Sequence, residues 1–345
     1  MQAVILAGGK STRTYPLTVT RPKPLLKVAN KTLLEWNFNA LNGLVEEVIL
    51  VVGYKKDRII NFVNKIKNKY KFKIKFVEQK EQLGTGHALL LVENLIKNNF
   101  ISLYGDDIYC KNDVKNILKY KNSILVKKVK NPENFGVIIQ NNNILTNIIE
   151  KPQLFVSDLV NCGMYVFDKK IFELLKKVKK SKRGEYEIVG AIKFLAMEED
   201  INCVKSSEWF PIGYPWDLLE ADRYYRNKKN KIGKNSKING KMVNSSVGDN
   251  CIIDGSIKNS IIMDNVTIEK NSVIEDSVIG NDVYFGGSIL SEENVKSMVK
   301  GKPVVVKKLG AVLGDNVIAN DVIVNPGCKI WPSKEIKGEV KEDVE

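Results

Sequence analysis

The chain has 345 residues, 43% apolar and 27% charged, a composition typical of a globular protein with room for two domains. No apolar run reaches the roughly 18 residues of a membrane helix, and Val4–Ala7 is too short for a signal-peptide core, so we expect a cytoplasmic protein without a membrane partner. The net charge of +14 comes mostly from lysines, without a basic stripe interleaved with aromatics, which disfavours nucleic acid and suits an anionic substrate.

Apolar runs alternate with helical patterns through the first two-thirds of the chain, and this alternation predicts an α/β domain with a mainly parallel sheet. The predicted strands are Val4–Ala7, Val48–Gly53, Lys73–Glu78, Phe100–Tyr104, Ile124–Val129, Val137–Gln140 and Val160–Phe167. The predicted helices are Leu33–Leu44, Asp57–Lys69, Thr85–Ile96, Asp113–Tyr120 and Pro215–Tyr224.

A different pattern follows a polar, basic stretch at 226–237, which we interpret as a linker. Aliphatic residues then recur six positions apart, with turn groups at Gly248, Met263, Gly280 and Gly314. The aliphatic series comprise Ile232 and Ile238; Val247 and Ile253; Ile262, Ile268 and Ile274; and Val312, Ile318, Val324, Ile330 and Ile336. This period predicts a parallel β-helix with inward aliphatic residues, rather than a run of ordinary short strands. Ser291–Leu309 breaks the period and predicts a projecting loop or irregular strand, and we expect the charged tail to fray.

The five cysteines are widely separated and lack CxxC spacing, which predicts reduced and mostly buried thiols. The single histidine, His87, excludes a metal site built from several histidines.

The opening stretch VILAGGKSTR looks like a phosphate-binding loop, but Val4 stands where a P-loop needs its first glycine, and the dinucleotide pattern GxGxxG also fails. Gly8 and Gly9 nevertheless allow backbone amides to approach phosphate oxygens. Arg13 supplies a planar, permanently charged fork. Lys23 lies between two prolines, which stiffen the backbone and aim its charge.

Together, LAGGKSTRTYPLT and RPKP resemble the opening signature of the sugar-1-phosphate nucleotidylyltransferases, the NDP-sugar pyrophosphorylases, although Ser11 stands where that family usually has glycine. The resemblance covers essentially the whole chain. It implies a Rossmann-like nucleotidyltransferase domain at 1–228, a left-handed β-helix at 229–338 and a charged tail at 339–345. It also implies that Leu6 and Ala7, with Gly8 and Gly9, contact the nucleotide.

EQKEQLGTGHA is similar to the base-reading segment of uridylyl- and thymidylyltransferases. The resemblance places Gln79 on a pyrimidine edge and Gly84 where the backbone meets the base. Thr85 is either a nucleotide contact or a helix cap. His87 lies just inside the following helix, where packing or solvation is expected.

Asp106 in LYGDD matches the aspartate that binds Mg²⁺ in the family, and we interpret Asp107 as a turn residue. The second metal aspartate of the family is replaced by Pro211. Either Asp106, phosphates and water hold the ion, or Asp217 reaches in, although Asp217 also fits the first turn of the last helix.

Three further segments complete the resemblance. Gly136 in NFGV and Asn161 in VNCGMYVF match sugar contacts. In IIEKP, Glu150 matches the sugar-binding carboxylate and Lys151 the lysine on the sugar phosphate.

The implied reaction joins a nucleoside triphosphate, UTP or dTTP rather than GTP, to a hexose- or N-acetylhexosamine-1-phosphate and releases pyrophosphate. Arg13, Lys23 and Lys151 would be its catalytic cations. Some relatives use the solenoid as an acetyltransferase with a histidine base, but this solenoid contains no histidine. We therefore expect this solenoid to have a structural or oligomerising role, since such solenoids often form trimers. The alternatives are a regulatory homologue, a nucleotide-binding assembly protein, a guanylyltransferase of the GDP-mannose type and a P-loop ATPase.

Overall fold

The computed structural model describes residues 1–181 and 183–345, which form two compact units. The first unit contains Met1–Gly9 and Leu34–Pro211, and the second contains Lys10–Leu33 and Ile212–Glu345. The opening motif is thus divided, because its glycines belong to the first unit while Arg13 and Lys23 belong to the second. No helix among the described residues is both long and apolar enough to cross a membrane.

A nine-stranded sheet forms the centre of the first unit, in the order β3-β2-β1-β4-β8-β5-β9-β7-β6. In chain order the strands are β1 (Gln2–Ala7), β2 (Glu47–Val52), β3 (Lys73–Glu78), β4 (Phe100–Tyr104), β5 (Ser123–Lys128), β6 (Gly136–Asn141), β7 (Ile144–Glu150), β8 (Leu159–Phe167) and β9 (Asn202–Lys205). β1 pairs in parallel with β2 and β4, and β2 pairs in parallel with β3. The carboxyl ends of these four strands therefore lie along one edge.

The other half of the sheet is largely antiparallel. β8 runs antiparallel to β4 and β5, and β7 to β6 and β9. The expected parallel arrangement is thus limited mainly to the first four strands. A hairpin causes part of this difference, because Asn142 and Asn143 adopt left-handed conformations (φ 49° and 63°) that join β6 to β7 in a two-residue turn.

Helices cover the sheet of the first unit, and they bury Phe172 against Phe100 and Phe167 of the strands. The α-helices are Leu33–Leu41, Lys56–Ile66, Thr85–Leu90, Lys111–Ile117, Lys170–Lys177 and Ile188–Glu198. Short 3-10 helices lie at Lys67–Lys69, Glu93–Leu95 and Pro132–Asn134, and Ile108–Tyr109 pairs with Trp209–Phe210. The predicted helix at Thr85–Ile96 ends at Leu90, and the last two α-helices were not predicted.

The second unit begins with the segment Lys10–Leu33, which we call the basic segment. It contains the helix Leu17–Thr20, 3-10 turns at Thr12–Thr14 and Lys23–Leu25, and a hairpin of Lys27–Val28 with Lys31–Thr32. The helix Asp217–Tyr225 lies in the same unit and begins two residues later than predicted.

Short strands in stacked coils make up the rest of this unit. They are Lys231–Ile232, Lys237–Ile238, Lys241–Val243, Ser246–Val247, Ile252–Ile253, Ser256–Lys258, Ile261–Ile262, Thr267–Ile268, Val273–Glu275, Val278–Ile279, Tyr284–Ile289, Val312–Leu313, Ile318–Val324, Lys329–Ile330 and Glu335–Val340. Each strand pairs in parallel with its equivalent in the next coil, as when Ser246 pairs with Ile261 and Ile261 with Val278. This arrangement is consistent with a parallel β-helix.

The predicted turn groups lie at the corners of these coils. The third residue of each group, Asn250, Asn265, Asp282 or Asn316, is left-handed with φ between 56° and 59°. Asn and Asp adopt this conformation at little cost, which explains their repeated use at one corner.

Several details of the solenoid differ from expectation. Ile232 and Ile318 are 52% and 41% exposed, whereas the other residues of the predicted series are buried or partly buried. Ile232 lies in the first coil, which is covered on one side only. At Ile318 the strand alternation turns the neighbouring Ala319 inward instead.

The expected linker and frayed tail are both wrong. Arg226 is buried and ion-paired with Asp222, and the first coil already begins at Lys231. The tail folds back along the last coil, where Val344 pairs with Ile330.

The projecting segment is a regular antiparallel hairpin of Glu292–Val299 with Lys302–Leu309. Its inner face packs against Trp216 and Leu219. The five cysteines are free and four of them are buried, as predicted.

Candidate functional site

Three glycines lie where the parallel strands of the first unit end, and we call Gly8, Gly53 and Gly105 the glycine edge. A β-carbon on Gly53 would lie 2.7 Å from the Gly8 carbonyl oxygen, and one on Gly105 would lie 2.9 Å from Cγ2 of Ile5. The Gly105 N–H donates to the Leu6 carbonyl at 2.8 Å. Only glycine allows the backbone to pass this closely.

The first predicted nucleotide contacts therefore lie at this edge. Leu6 and Ala7 end β1 as buried residues, and Gly8 and Gly9 follow them. The sequence reasoning missed Gly53 and Gly105, although each follows a strand directly, and that position was an available signal.

Gln79 follows β3 and is buried beside Gly8. Its Nε2 donates to the Gly84 carbonyl at 3.1 Å and lies 3.2 Å from Nδ1 of His87. Since a carbonyl can only accept, the Gly84 contact fixes which end of the amide is the nitrogen. The Gln79 Oε1 therefore faces the glycine edge, where a β-carbon on Gly8 would lie 2.7 Å from it.

Gly84 and Thr85 start the next helix. Gly84 has φ 106°, and a β-carbon there would lie 2.6 Å from the Tyr186 carbonyl oxygen. The Thr85 hydroxyl accepts the N–H of Ile188 at 3.2 Å. The cap residue of the helix is Gly84, so the capping alternative for Thr85 is wrong.

Asp106 follows Gly105 at the end of β4 and is half-buried. Its neighbour Asp107 has a structural role, since Oδ2 accepts from Trp209 Nε1 at 3.1 Å and the backbone carbonyl accepts from Asn37 at 3.0 Å. Oδ2 of Asp217, in the second unit, accepts two backbone N–H groups at 2.7 Å.

Across residues 1–181 and 183–345, no group of three or more His, Cys, Asp and Glu side chains could hold a metal ion. One carboxylate at a strand end nevertheless fits Mg²⁺, which proteins commonly hold through one or two carboxylates, substrate phosphates and water.

The predicted sugar contacts Gly136 and Glu150 are paired across the β6–β7 hairpin. A β-carbon on Gly136 would lie 3.1 Å from Oε2 of Glu150. Burial raises the pKa of Glu150, and the negative charge of Glu187 adds to this, while Arg183 and Lys151 oppose it. Nη2 of Arg183 lies 3.5 Å from Oε1 of Glu150 and 2.9 Å from Oε1 of Glu187. Arg183 lies in an irregular segment, and no sequence pattern pointed to it.

Lys151 directly follows β7 and has a left-handed backbone, φ 45°, with its N–H donating to the Phe135 carbonyl at 2.9 Å. A non-glycine residue held in this region is uncommon, and such outliers cluster at functional sites. The structure therefore brings Gly136, Glu150 and Lys151 together at the ends of one hairpin.

Asn161 is engaged at both ends of its amide. Nδ2 donates to the Tyr165 hydroxyl at 2.7 Å, and Oδ1 accepts the Gly163 N–H at 2.8 Å. Burial raises the pKa of Tyr165 and of Tyr104, and the charge of Glu150 contributes to both. Asn161 therefore contacts Tyr165, and the charge of Glu150 acts on the same tyrosine.

Arg13 and Lys23 lie in the second unit. The Arg13 guanidinium lies 5.6 Å from the centre of the Tyr214 ring. Lys23 is only 5% exposed, and its positive charge acts on the partly buried Asp217. Burial raises the pKa of Asp217 to about 6, although the N–H groups of Tyr214 and Gly213 and the Lys23 charge oppose the shift.

Ser11 adopts the left-handed conformation, φ 51° and ψ 52°. Its carbonyl accepts the hydroxyls of Thr14 and Thr18 at 2.7 and 2.9 Å. Serine therefore keeps a backbone shape for which glycine is better suited.

Two protein families match the chain. The family described as Nucleotidyl transferase matches residues 2–228, and the one described as GMPPB C-terminal domain matches residues 221–344.

Two relatives and one solved structure extend this result. The chain is 38% identical to the bifunctional protein GlmU of Methanocaldococcus jannaschii, over 96% of this chain and 92% of that protein. It is 31% identical to a bifunctional sugar-1-phosphate nucleotidylyltransferase/acetyltransferase of Sulfurisphaera tokodaii, over 96% and 94%. Its fold is similar to a UDP-glucose pyrophosphorylase complexed with UDP-glucose, with a TM-score of 0.58 and 24% identity, over 66% of this chain and 99% of the other.

Proposed function

Since the chain belongs to the nucleotidyl transferase family, among the sugar-1-phosphate nucleotidylyltransferases, we propose that it makes an NDP-sugar and pyrophosphate from a nucleoside triphosphate and a hexose- or N-acetylhexosamine-1-phosphate. The observation that carries this proposal is the glycine edge, with Gln79 and Asp106 beside it, at the ends of parallel strands where α/β proteins bind nucleotides.

In the proposed reaction, a phosphate oxygen of the sugar phosphate attacks the α-phosphorus in line. The bond between that phosphorus and the β-phosphate oxygen breaks, and pyrophosphate leaves with its electron pair. The nucleophile is already ionised, so no general base is needed. Repulsion between two anions and their misalignment make up most of the barrier, and positioned cations lower both.

Each cation has a separate proposed role. Arg13 holds the departing pyrophosphate, Lys23 neutralises the nucleotide phosphates, and Lys151 aims the attacking phosphate. The backbone N–H groups of Gly8 and Gly9 bind phosphate oxygens. Asp106 would hold Mg²⁺, which would supply charge neutralisation at the phosphates.

The orientation of Gln79 supports UTP or dTTP as the nucleotide. Its Oε1 is a hydrogen-bond acceptor, and the ring N3–H of uracil or thymine is a matching donor. Cytosine and adenine carry an acceptor at the corresponding ring nitrogen and would repel Oε1. Guanine also offers a ring N–H, so a guanylyltransferase of the GDP-mannose type is the second candidate.

For the sugar, Glu150 and the Gly136 backbone supply the proposed contacts. The Asn161 amide is held by Tyr165 and Gly163, which leaves one Nδ2 hydrogen for a sugar hydroxyl. A carboxylate acceptor and an amide donor can bind the hydroxyls of a hexose or the hydroxyls and amide of an N-acetylhexosamine.

We further propose that the coils form a left-handed β-helix of hexapeptide repeats that is structural and joins copies of the chain, as a trimer or a multiple of it. The proposed division is a nucleotidyltransferase domain at 1–228, which the match at residues 2–228 supports, with the β-helix at 229–338 and the charged tail at 339–345. The solenoid sequence contains no histidine to serve as an acetyl-transfer base.

Pyrophosphate release tests the proposal, with UTP, dTTP, GTP, CTP and ATP each combined with a panel of sugar-1-phosphates. We expect release with UTP or dTTP that requires a sugar phosphate. Nucleotide binding without release would instead favour a regulatory or assembly protein. ATP hydrolysis without sugar phosphate would favour an ATPase. A parallel arm with acetyl-CoA and glucosamine-1-phosphate should release no thiol, and steady release would overturn the structural role of the solenoid.

A further inference from the structure

One corner of the solenoid carries a ladder of polar side chains, which we call the turn ladder: Asp249, Asp264, Asn281 and Asp315. They are the middle residues of the four turn groups. Each Oδ1 accepts the backbone N–H of the equivalent residue in the preceding coil: Lys234 to Asp249 at 2.7 Å, Asp249 to Asp264 at 2.9 Å, Asp264 to Asn281 at 3.1 Å and Asn281 to Asp315 at 2.8 Å. The ladder therefore fixes these oxygens in a row.

The basic segment is bound to this row. Arg21 forms an ion pair with Asp315, and its Nη1 donates to Asn281 at 3.1 Å. The Thr20 hydroxyl also donates to Asp315, at 2.5 Å. Lys27 donates to both carboxylate oxygens of Asp264 at 2.7 and 2.6 Å.

The central pair is buried, with Arg21 only 6% and Asp315 only 5% exposed. A buried pair of opposite charges is costly to break, because the remaining partner keeps its charge without compensation. The segment is held a second time where the Ala29 N–H and the Ser246 hydroxyl both donate to Oδ1 of the buried Asp222, at 2.8 and 2.6 Å.

These contacts lie on both sides of Lys23. Thr20 and Arg21 precede it and Lys27 follows it, and the lysine itself is in the short 3-10 helix Lys23–Leu25. A 3-10 helix has poorer hydrogen-bond geometry than an α-helix, so the position of this turn depends on the contacts that flank it. The ladder supplies contacts on both sides of Lys23.

We propose that the turn ladder, through Asp315 and Arg21, positions Lys23 for nucleotidyl transfer. The solenoid would then influence the rate of the reaction, although none of its own side chains contacts the reacting phosphates. Arg21 and Asp315 are positioning residues. This inference rests on the proposed function of Lys23, and it assigns the solenoid a role beyond structure and assembly.

Steady-state pyrophosphate release by the full chain tests this inference. Asp315→Asn keeps an oxygen for the Asn281 N–H but removes the charge that pairs with Arg21. We expect kcat to fall about 10- to 100-fold, the scale of a small misplacement of an aimed group, with the KM for the nucleotide within about 3-fold. Asp276→Asn is the matched control, because Asp276 is a buried solenoid carboxylate paired with Lys308 away from the basic segment. It should stay within about 2-fold of the parent.

A double variant separates positioning from stability. In Arg21→Met/Asp315→Asn both charges are gone, so the thermal stability lost in Asp315→Asn should return. The kcat should stay low, because the anchor is still missing. Recovery of kcat together with stability would mean that the pair serves folding alone and would overturn the inference.

Hydrogen exchange of residues 10–33 in the same proteins provides a readout that does not need activity. We expect faster exchange in Asp315→Asn and the double variant, but not in Asp276→Asn. Two results would contradict the inference. One is faster exchange of residues 10–33 without a loss of kcat, and the other is an Asp315→Asn variant that matches the Asp276→Asn control in both measurements. If Asp315→Asn does not fold, Lys27→Met, which removes a half-exposed contact, takes its place with the same expectations. A parent chain that releases no pyrophosphate defeats the proposed function instead.

Discussion

The glycine edge of the first unit and the basic segment of the second carry parts of the same signature, but they are stabilised in opposite ways. The edge depends on missing β-carbons, which let its backbone pass close to neighbouring backbone and to the uncharged side chains of Ile5 and Gln79. The segment depends on ion pairs with residues far away in the chain, one of them buried (Arg21 with Asp315) and one partly exposed (Lys27 with Asp264). The contrast shows that a close backbone approach can be specified by the absence of side chains, whereas the proposed phosphate-binding lysine, Lys23, lies in a segment fixed by residues far along the chain.

The largest expected effect tests the charge of the basic segment. Lys23→Ala should lower kcat at least about 100-fold, the scale of losing one aimed electrostatic group. The control is Lys10→Ala, an exposed lysine of the same segment, which should stay within about 3-fold. Pyrophosphate release measures both. The opposite ranking would restore the P-loop interpretation, in which Lys10 is the phosphate-binding lysine.

A substitution at the glycine edge tests the other side of the comparison. Gly53→Ala places a β-carbon 2.7 Å from the Gly8 carbonyl oxygen and 3.0 Å from the Gln79 carbonyl oxygen, and these backbone atoms cannot easily move aside. We expect a loss of about 2–3 kcal/mol in stability, typical of overpacking, and a KM for the nucleotide raised at least about 10-fold. Gly338→Ala has open space around it and should cost only the left-handed backbone term of about 1 kcal/mol. Equal effects in calorimetry would contradict the close-approach argument.

The partly buried Asp217, whose carboxylate faces the Lys23 charge, predicts a pH effect. Its pKa of about 6 exceeds the ordinary 3.8, so folding favours the protonated acid. That contribution to stability is complete below about pH 4 and is lost as the pH rises through 6. Asp217→Asn is neutral throughout, so its stability relative to the parent should improve by about 2–3 kcal/mol between pH 4 and 7. A difference in melting temperature between the two proteins that is constant with pH would argue against a raised pKa for Asp217.

The smallest expected effect concerns Ser11. Ser11→Gly removes the cost of a left-handed non-glycine residue, so we expect about 0.5–1 kcal/mol of added stability and equal or better turnover. Thermal unfolding and pyrophosphate release measure the two quantities. A complete loss of turnover would show that the serine side chain has a role that the backbone geometry does not reveal.

Local sequence patterns predicted much of the first unit and of the solenoid. Lys73–Glu78, where polar and apolar residues largely alternate, and Phe100–Tyr104, which is a short apolar run, form strands with the predicted bounds. Both patterns are typical of strands. The corner asparagines were predictable for a similar reason, since each turn group carries its own conformational preference. Asn142 and Asn143 have the same preference for a left-handed turn, but no hairpin was predicted there from the sequence. The antiparallel half of the sheet was therefore not predicted either.

Long-range features could not be predicted in this way. The orientation of the Gln79 amide depends on Gly84 and His87, and the sequence gives no indication of which atom faces Gly8. Nothing near Arg21 indicates that its partner is Asp315, 294 residues further along the chain. Such pairings depend on the completed fold, whereas a motif describes only a local stretch.

This separation has a consequence during protein synthesis. The basic segment leaves the ribosome early, while its partners at Asp264, Asn281 and Asp315 are translated near the end. At about 5–20 residues per second, the 294 residues between Arg21 and Asp315 require roughly 15–60 s. During that time a nascent chain can carry the whole signature but not yet hold its lysine in place. Catalytic competence would therefore come only with the last coils, and a chain truncated near residue 228 would remain at that unfinished stage.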